Sequence, residues 1–85
     1  MTSEYVTVPG ARLYTERAGD GPPLLLISGG GGDAGMYEEV VPLLAHRYTV
    51  LTYDRRGNSR SRFTDPDAAI GVAAQAGDAI AVLDH

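Results

Sequence analysis

The chain has no cysteine and no lysine, basic charge is scarce, and no stretch resembles a membrane-spanning segment. Without cysteine there is no disulfide scaffold, and stability must come from packing alone. That is a narrow source, because a fold of 85 residues buries only roughly 60–65% of the surface its unfolded chain exposes. Without lysine, a glycine-rich turn cannot be a P-loop, which needs Lys-Ser or Lys-Thr directly after its glycines. A formal charge of −4 and a pI near 4.8 argue against a nucleic-acid partner. All seven basic residues are arginines, and those at 55, 56, 60 and 62 crowd into one short stretch read as a loop. The N-terminus, Met1-Thr2-Ser3-Glu4, has neither a basic nor an apolar leader region, and the run Leu24 to Ile27 is far below the ~20 residues a spanning helix needs. No membrane association is expected, and a cytoplasmic location is.

The remaining 44% hydrophobic residues fall into short elements punctuated by Gly and Pro, with no repeat or linker between them. Tyr5-Val6-Thr7-Val8 and Arg12-Leu13-Tyr14-Thr15-Glu16-Arg17 both alternate around Pro9-Gly10, which predicts an antiparallel hairpin over 3–17. Leu24-Leu25-Leu26-Ile27-Ser28 is continuously apolar instead, the pattern of a central parallel strand covered on both faces. A helix is predicted over 36–46, its acids Glu38 and Glu39 placed early where the dipole favours them. Tyr48 to Asp54 reads as a second parallel strand, so the helix joins the two strands in a βαβ crossover. Asp65-Pro66 is a cap followed by a first-turn proline. A last helix is therefore predicted over 66–85, with Ile70, Ala73, Ala74, Gly77, Ile80 and Ala81 on its buried face. The expected class is α/β with an incomplete sheet, all within one partial domain spanning 1–85. In a doubly wound fold the last helix would deliver another strand beside Leu24 to Ile27, and the sequence stops first. The isolated chain is therefore expected to be poorly folded, to self-associate through that open strand edge, or to depend on a partner supplying the strand.

Gly29-Gly30-Gly31-Gly32-Asp33-Ala34-Gly35 lies between a strand and a helix, where missing Cβ atoms let backbone N–H groups approach negative charge. Two chemistries fit such a turn. Gly30, Gly32 and Gly35 satisfy G-x-G-x-x-G, and Asp54 follows about 20 residues later at a strand end, as in a Rossmann-like dinucleotide-binding βαβ module. Such a chain normally begins with this strand, whereas here a hairpin precedes it. The other chemistry is an oxyanion hole, in which a main-chain N–H stabilises the charge that develops on a carbonyl oxygen. A bland alternative is that the glycines only permit a tight strand-to-helix turn.

Hairpin, apolar strand, glycine turn, helix, strand and then Asp54-Arg55-Arg56-Gly57-Asn58-Ser59-Arg60-Ser61 resemble the N-terminal part of an α/β-hydrolase. That family has an H-G-x-P or H-G-G-G turn after its third strand and a D-x-R-G-x-G-x-S stretch after its fourth. Tyr37 and Pro42 match the aromatic and proline positions of its first helix. Ala76-Gly77-Asp78 with Leu83-Asp84 is similar to the helix that precedes its nucleophile elbow. The sequence departs from the family pattern at Ser28, where a histidine is usual, and at Ser59, where a second glycine is usual. The resemblance implies an oxyanion turn over 28–35, with Gly30 as the backbone donor and Gly29 and Gly31 shaping it. It also implies a small-molecule substrate for the intact relative (ester, lactone, epoxide, haloalkane or similar) and no cofactor, and no metal is expected because no His or carboxylate pair has ligand spacing with a partner cluster.

Asp54, Arg56 and Gly57 are read as loop-holding residues, because side chains at such a strand end commonly hydrogen-bond nearby backbone. Gly57 to Ser61 comes close to G-x-S-x-G, but an elbow needs a helix immediately afterwards, and Arg62 and Phe63 follow instead; Ser59 is not read as a nucleophile. Neither His46 nor His85 can be the triad base, since in this family acid and base follow the nucleophile in chain order. The triad is therefore expected to be missing and the 85-residue chain inactive alone. A non-catalytic interaction fragment stands as a further alternative.

Overall fold

The computed structural model describes residues 1–29 and 33–85. Strands β1 (Thr2–Val8) and β2 (Ala11–Ala18) form the expected hairpin, in a register that places Tyr5 opposite Tyr14 and Val8 opposite Ala11. The two-residue turn is possible because Gly10 takes φ +80°, the left-handed conformation that suits such connections. Alternation sorts the hairpin by face: Val6, Val8, Ala11 and Leu13 are buried, while Tyr5, Thr7 and Arg12 are exposed.

Strand β3 (Pro23–Leu26) runs parallel to β4 (Thr49–Tyr53), and β4 also pairs antiparallel with β2, giving the order β1-β2-β4-β3. The apolar run at 24–27 is thus not interior to the described sheet. It lies at its edge, with Leu24, Leu25 and Leu26 half-buried. The interior place belongs to β4, where Val50, Leu51, Thr52 and Tyr53 are all buried, as a strand covered on both faces requires. A short fifth strand, β5 (Arg62–Phe63), pairs with Ala11 and Arg12 along the stretch of β2 that β4 leaves free. The polar sequence around it gave no sign of a strand.

The connection between β3 and β4 is not one helix over 36–46. A 3₁₀ turn (Ala34–Tyr37), capped by the Asp33 carboxylate accepting from the Gly35 amide, gives way to separate turns and then to α1 (Val41–Leu44). Pro42 dictates the break. It has no N–H for a bond back to residue 38, so a helix that contains it must begin just before it.

The last helix, α2 (Val72–Asp84), starts six residues later than the sequence suggested. Asp65 does cap a turn, accepting the Asp67 amide at 2.9 Å, but the chain then leaves the helical path, and the Ala69 carbonyl there accepts Arg56 at 2.7 Å. The buried face also differs from the apolar one expected. Asp78 and Val82 are buried, with Ala74 and Ala81 half-buried, whereas Ile70 and Ile80 are 72% and 60% exposed. Val82 joins Val6, Val8, Ala11, Leu13, Leu51 and Tyr53 in the main core, with Leu25 and Ala81 packed against it.

Candidate active site

Parallel strands place their carboxyl ends together, and at those ends β3 delivers Ser28 and Gly29 while β4 delivers Asp54, Arg55 and Arg56. The turn between residues 27 and 35 is fixed from both sides. At its start, the Tyr37 hydroxyl donates to the Ile27 carbonyl at 2.6 Å, and Arg55 donates to the carbonyl of buried Ser28 at 3.5 Å. At its far end, the Ala34 amide donates to Asp54 Oδ1 at 2.8 Å. Gly30 and Gly31, the expected oxyanion donor and one of its neighbours, lie outside the described residues, as does Gly32. Gly29 is described. It is exposed, its φ is not in the left-handed region, and among the described residues a Cβ there would meet nothing within 4 Å.

Asp54 is fully buried, and it organises the loop through five contacts. Besides Ala34, its carboxylate accepts the Arg60 amide at 3.0 Å and two guanidinium bonds from Arg60, from Nε at 2.7 Å and from Nη2 at 2.9 Å, while its main-chain carbonyl accepts the Ser61 hydroxyl. Burial alone would raise the Asp54 carboxyl. The Arg60 and amide hydrogen bonds outweigh it and hold the group below the ordinary carboxylate value, with Arg60 correspondingly raised. Arg60 also stacks its guanidinium 3.9 Å from the Tyr14 ring centre, and Ser61 accepts the Tyr14 amide at 2.8 Å, so the loop is bound to β2.

Arg56 faces the other way. Its guanidinium forms a bidentate pair with Asp78, both bonds 2.7 Å, and also donates to the carbonyls of Pro9 and Ala69. Both side chains of this pair are buried, and the Asp78 contact raises the Arg56 pKa. Gly57 sits at φ +76°, and a Cβ there would lie 2.4 Å from the Phe63 ring. Ser59 is exposed at φ +48°, a left-handed conformation that explains why a glycine suits its place in the D-x-R-G-x-G-x-S pattern.

Sequence reasoning singled out Asp54, Arg56 and Gly57, and the structure brings them together in one loop. It did not find Asp78 as the partner of Arg56, nor Arg60 as that of Asp54, since an acid on a helix or an arginine in a loop carries no sign of the partner it meets in space. His46 is exposed after α1, and His85 pairs with Glu4 at 3.2 Å, on another strand from this turn. No group of three or more His, Asp or Glu side chains among the described residues could hold a metal ion, and no described helix is long and apolar enough to cross a membrane. A cleft of about 260 Å³ beside the loop is lined by Arg55, Asn58, Phe63, Ile70 and Gln75.

Known proteins resemble this chain in sequence and fold. The sequence profile of the alpha/beta hydrolase fold matches residues 22–85. The uncharacterized hydrolase YraK of Bacillus subtilis strain 168 is 45% identical over 76 residues, which cover 89% of this chain and 28% of YraK. Among solved structures, an alpha/beta hydrolase from Sphaerobacter thermophilus superposes with a TM-score of 0.80 at 28% identity, covering 98% of this chain and 31% of that one. An alpha/beta hydrolase fold protein from Burkholderia ambifaria gives a TM-score of 0.82 at 31% identity, covering 95% and 29%. The chain therefore spans less than a third of the length of each of these relatives.

Proposed function

The chain belongs to the alpha/beta hydrolase fold family, and from that premise we propose that residues 28–35 are the oxyanion side of a small-molecule hydrolase active site. In this reading the Gly30 amide is the donor, and a nucleophile, a histidine base and an acid outside these residues complete the reaction. The nucleophile attacks the substrate carbonyl, the base takes its proton, and the negative charge gathering on the carbonyl oxygen is met by a backbone N–H that needs no reorganisation. The observation that carries the proposal is the two-sided clamp on the turn. Tyr37 and Arg55 hold the carbonyls of Ile27 and Ser28, and Asp54 holds the Ala34 amide. A turn needed only to reverse the chain would not require side chains of other segments at both its ends, one of them the buried Asp54 carboxylate, whereas an oxyanion donor loses its effect when misplaced by about 1 Å.

The dinucleotide reading is disfavoured by the state of Asp54. The acid it needs for a ribose is fully buried, with both carboxylate oxygens engaged by Arg60 and Ala34. None of the four serines has the setting of a nucleophile: Ser3 lies exposed on β1, Ser28 and Ser61 are buried, and Ser59 lies on an exposed turn with no helix directly after it.

The test grafts residues 22–85 in place of the matching segment of the Bacillus subtilis hydrolase and follows p-nitrophenyl ester turnover. The graft is expected to turn over, and Gly30→Pro within it to lower kcat by about 10²–10³ with little change in KM, the loss expected for one oxyanion donor. Equal kcat in the two proteins removes Gly30 from the mechanism. The 85-residue chain alone is expected to show no turnover above buffer.

A further inference from the structure

We infer that Gln75, on α2, is a positioning residue for the oxyanion turn and acts through Arg55. The inference rests on the reading of residues 28–35 as the oxyanion side of an active site, and it adds a helix to the groups that set that turn. It starts from three successive residues at the exit of β4. Asp54 binds the far end of the turn, and Arg56 binds α2 at Asp78. Arg55, between them, binds both: Nη1 donates to the Ser28 carbonyl at 3.5 Å, and Nε donates to Gln75 Oε1 at 3.3 Å.

Each of these two bonds is long, and neither by itself would hold a side chain with the rotational freedom of arginine. A planar guanidinium that meets acceptors at two of its nitrogens is fixed in both its plane and its direction. The acceptor on α2 has a firm base. Gln75 and Asp78 are three residues apart and share one face of the helix, and Asp78 is locked to Arg56 by two bonds of 2.7 Å between buried side chains. Gln75 is thereby a fixed point from which Arg55 reaches the turn.

What Arg55 fixes there is a peptide plane. The Ser28 carbonyl and the Gly29 N–H belong to one planar unit, so a bond that directs the carbonyl also directs the amide. That unit stands directly before the one that carries the Gly30 N–H. Gly29 joins the two, and a glycine imposes little steric limit on the rotation between them; a Cβ there would meet nothing within 4 Å among the described residues. The orientation must therefore come from groups bound to the neighbours of Gly29. Of Tyr37, Arg55 and Asp54, Arg55 binds the residue nearest to Gly30 in the chain.

The test uses the hydrolase carrying residues 22–85 of this chain, with kcat, KM and melting temperature measured for each variant. Gln75→Leu removes the acceptor, and it is expected to lower kcat about three- to tenfold with KM nearly unchanged, well short of the loss of about 10²–10³ expected for Gly30→Pro. Gln75→Glu restores an acceptor and should recover kcat to within about twofold of the parent. In an Arg55→Leu background, Gln75→Leu should change kcat no further, since the two residues act as one unit. The inference is overturned if Gln75→Leu leaves kcat unchanged while Gly30→Pro lowers it, and equally if Gln75→Leu lowers only the melting temperature, as a purely structural contact would. A folded graft without turnover, or equal kcat in the graft and its Gly30→Pro variant, removes the oxyanion reading itself and this inference with it. If Gln75→Leu does not fold, Arg55→Lys decides. It keeps the charge but cannot offer separate nitrogens to the two acceptors, so kcat should fall by a similar factor, and an unchanged kcat overturns the pairing.

Discussion

Asp54 Oδ1 accepts the Ala34 amide at 2.8 Å, joining the exit of β4 to the far end of the glycine turn across 20 residues of sequence. The same carboxylate is held bidentately by Arg60, so one buried acid fixes both the turn that precedes the 3₁₀ segment and the loop that follows β4. Asp54→Asn keeps the volume and removes the charge, leaving Arg60 without its main partner. Arg60 is 40% exposed and stays solvated when unpaired, so the cost is that of weakened charge-assisted hydrogen bonds to the buried acid, about 1.5–3 kcal/mol in chemical denaturation. The pH dependence has a definite sign. Because the folded carboxyl titrates below its ordinary value of 3.8, its stabilisation is complete above that value and is lost as pH falls through it towards the lower folded value. The stability gap between the unchanged chain and Asp54→Asn should therefore shrink in acid. A gap constant from neutral pH to well below 3.8 would show that the carboxylate charge contributes nothing.

The Arg56 and Asp78 pair makes a separate prediction. With both side chains buried, removing one partner strands a charge, and Asp78→Ala should cost about 3–5 kcal/mol. Replacing both, as Arg56→Met with Asp78→Leu, removes the stranded charge and should restore much of that loss. The Pro9 and Ala69 carbonyls that Arg56 also served belong to exposed residues that water can reach. A double variant at least as unstable as Asp78→Ala would mean that Arg56 matters chiefly through those two carbonyls.

This pair also shows where the sequence could be read and where it could not. The hairpin was visible because β1 and β2 bury one face and expose the other, and two-residue periodicity records that directly in Val6, Val8, Leu13 and their neighbours. The family pattern was visible because Asp54, Arg56 and Gly57 are close together in the chain, within one loop. The face of α2 was not, since its deepest residue is an acid: Asp78 is buried for the sake of an arginine 22 residues away, and a search for apolar periodicity selects Ile70 and Ile80 instead. Nor did the sequence show that the Ala69 carbonyl, ahead of α2, accepts a bond from Arg56. The break at Pro42 could have been read from local chemistry, as a proline that late in a proposed helix ends it.

Backbone conformation gives a third prediction, a ranking of three substitutions. Gly19 has φ +92°, and a Cβ there would lie 2.3 Å and 2.6 Å from the carbonyl oxygens of Tyr48 and Ala45. Those are main-chain atoms that cannot step aside, so Gly19→Ala should prevent stable folding. Gly57→Ala meets the edge of a partly exposed ring instead, and a turn of Phe63 relieves the overlap; the left-handed φ remains, for a cost of about 1–2 kcal/mol. Ser59→Gly should go the other way, adding up to about 1 kcal/mol, since its φ of +48° strains a residue with a Cβ. Thermal melts of the three variants check the order, and an unchanged or lower melting temperature for Ser59→Gly would show that the turn stores no strain.

The Tyr37 hydroxyl, 2.6 Å from the Ile27 carbonyl, is the simplest way to separate fold from function at the turn. The bond is solvent-exposed, so Tyr37→Phe should lower stability by only about 0.5–1 kcal/mol. Its effect on the position of the turn should be larger, because Ile27 is the last residue before Ser28 and the glycines, and nothing else shown holds that carbonyl. In the grafted hydrolase, Tyr37→Phe is therefore expected to reduce kcat several-fold while leaving KM nearly unchanged, since a displaced oxyanion donor weakens the transition state more than substrate binding. Stability and kcat both unaffected would make the hydrogen bond incidental. A stability loss with kcat preserved would confine Tyr37 to holding the 3₁₀ turn against β3.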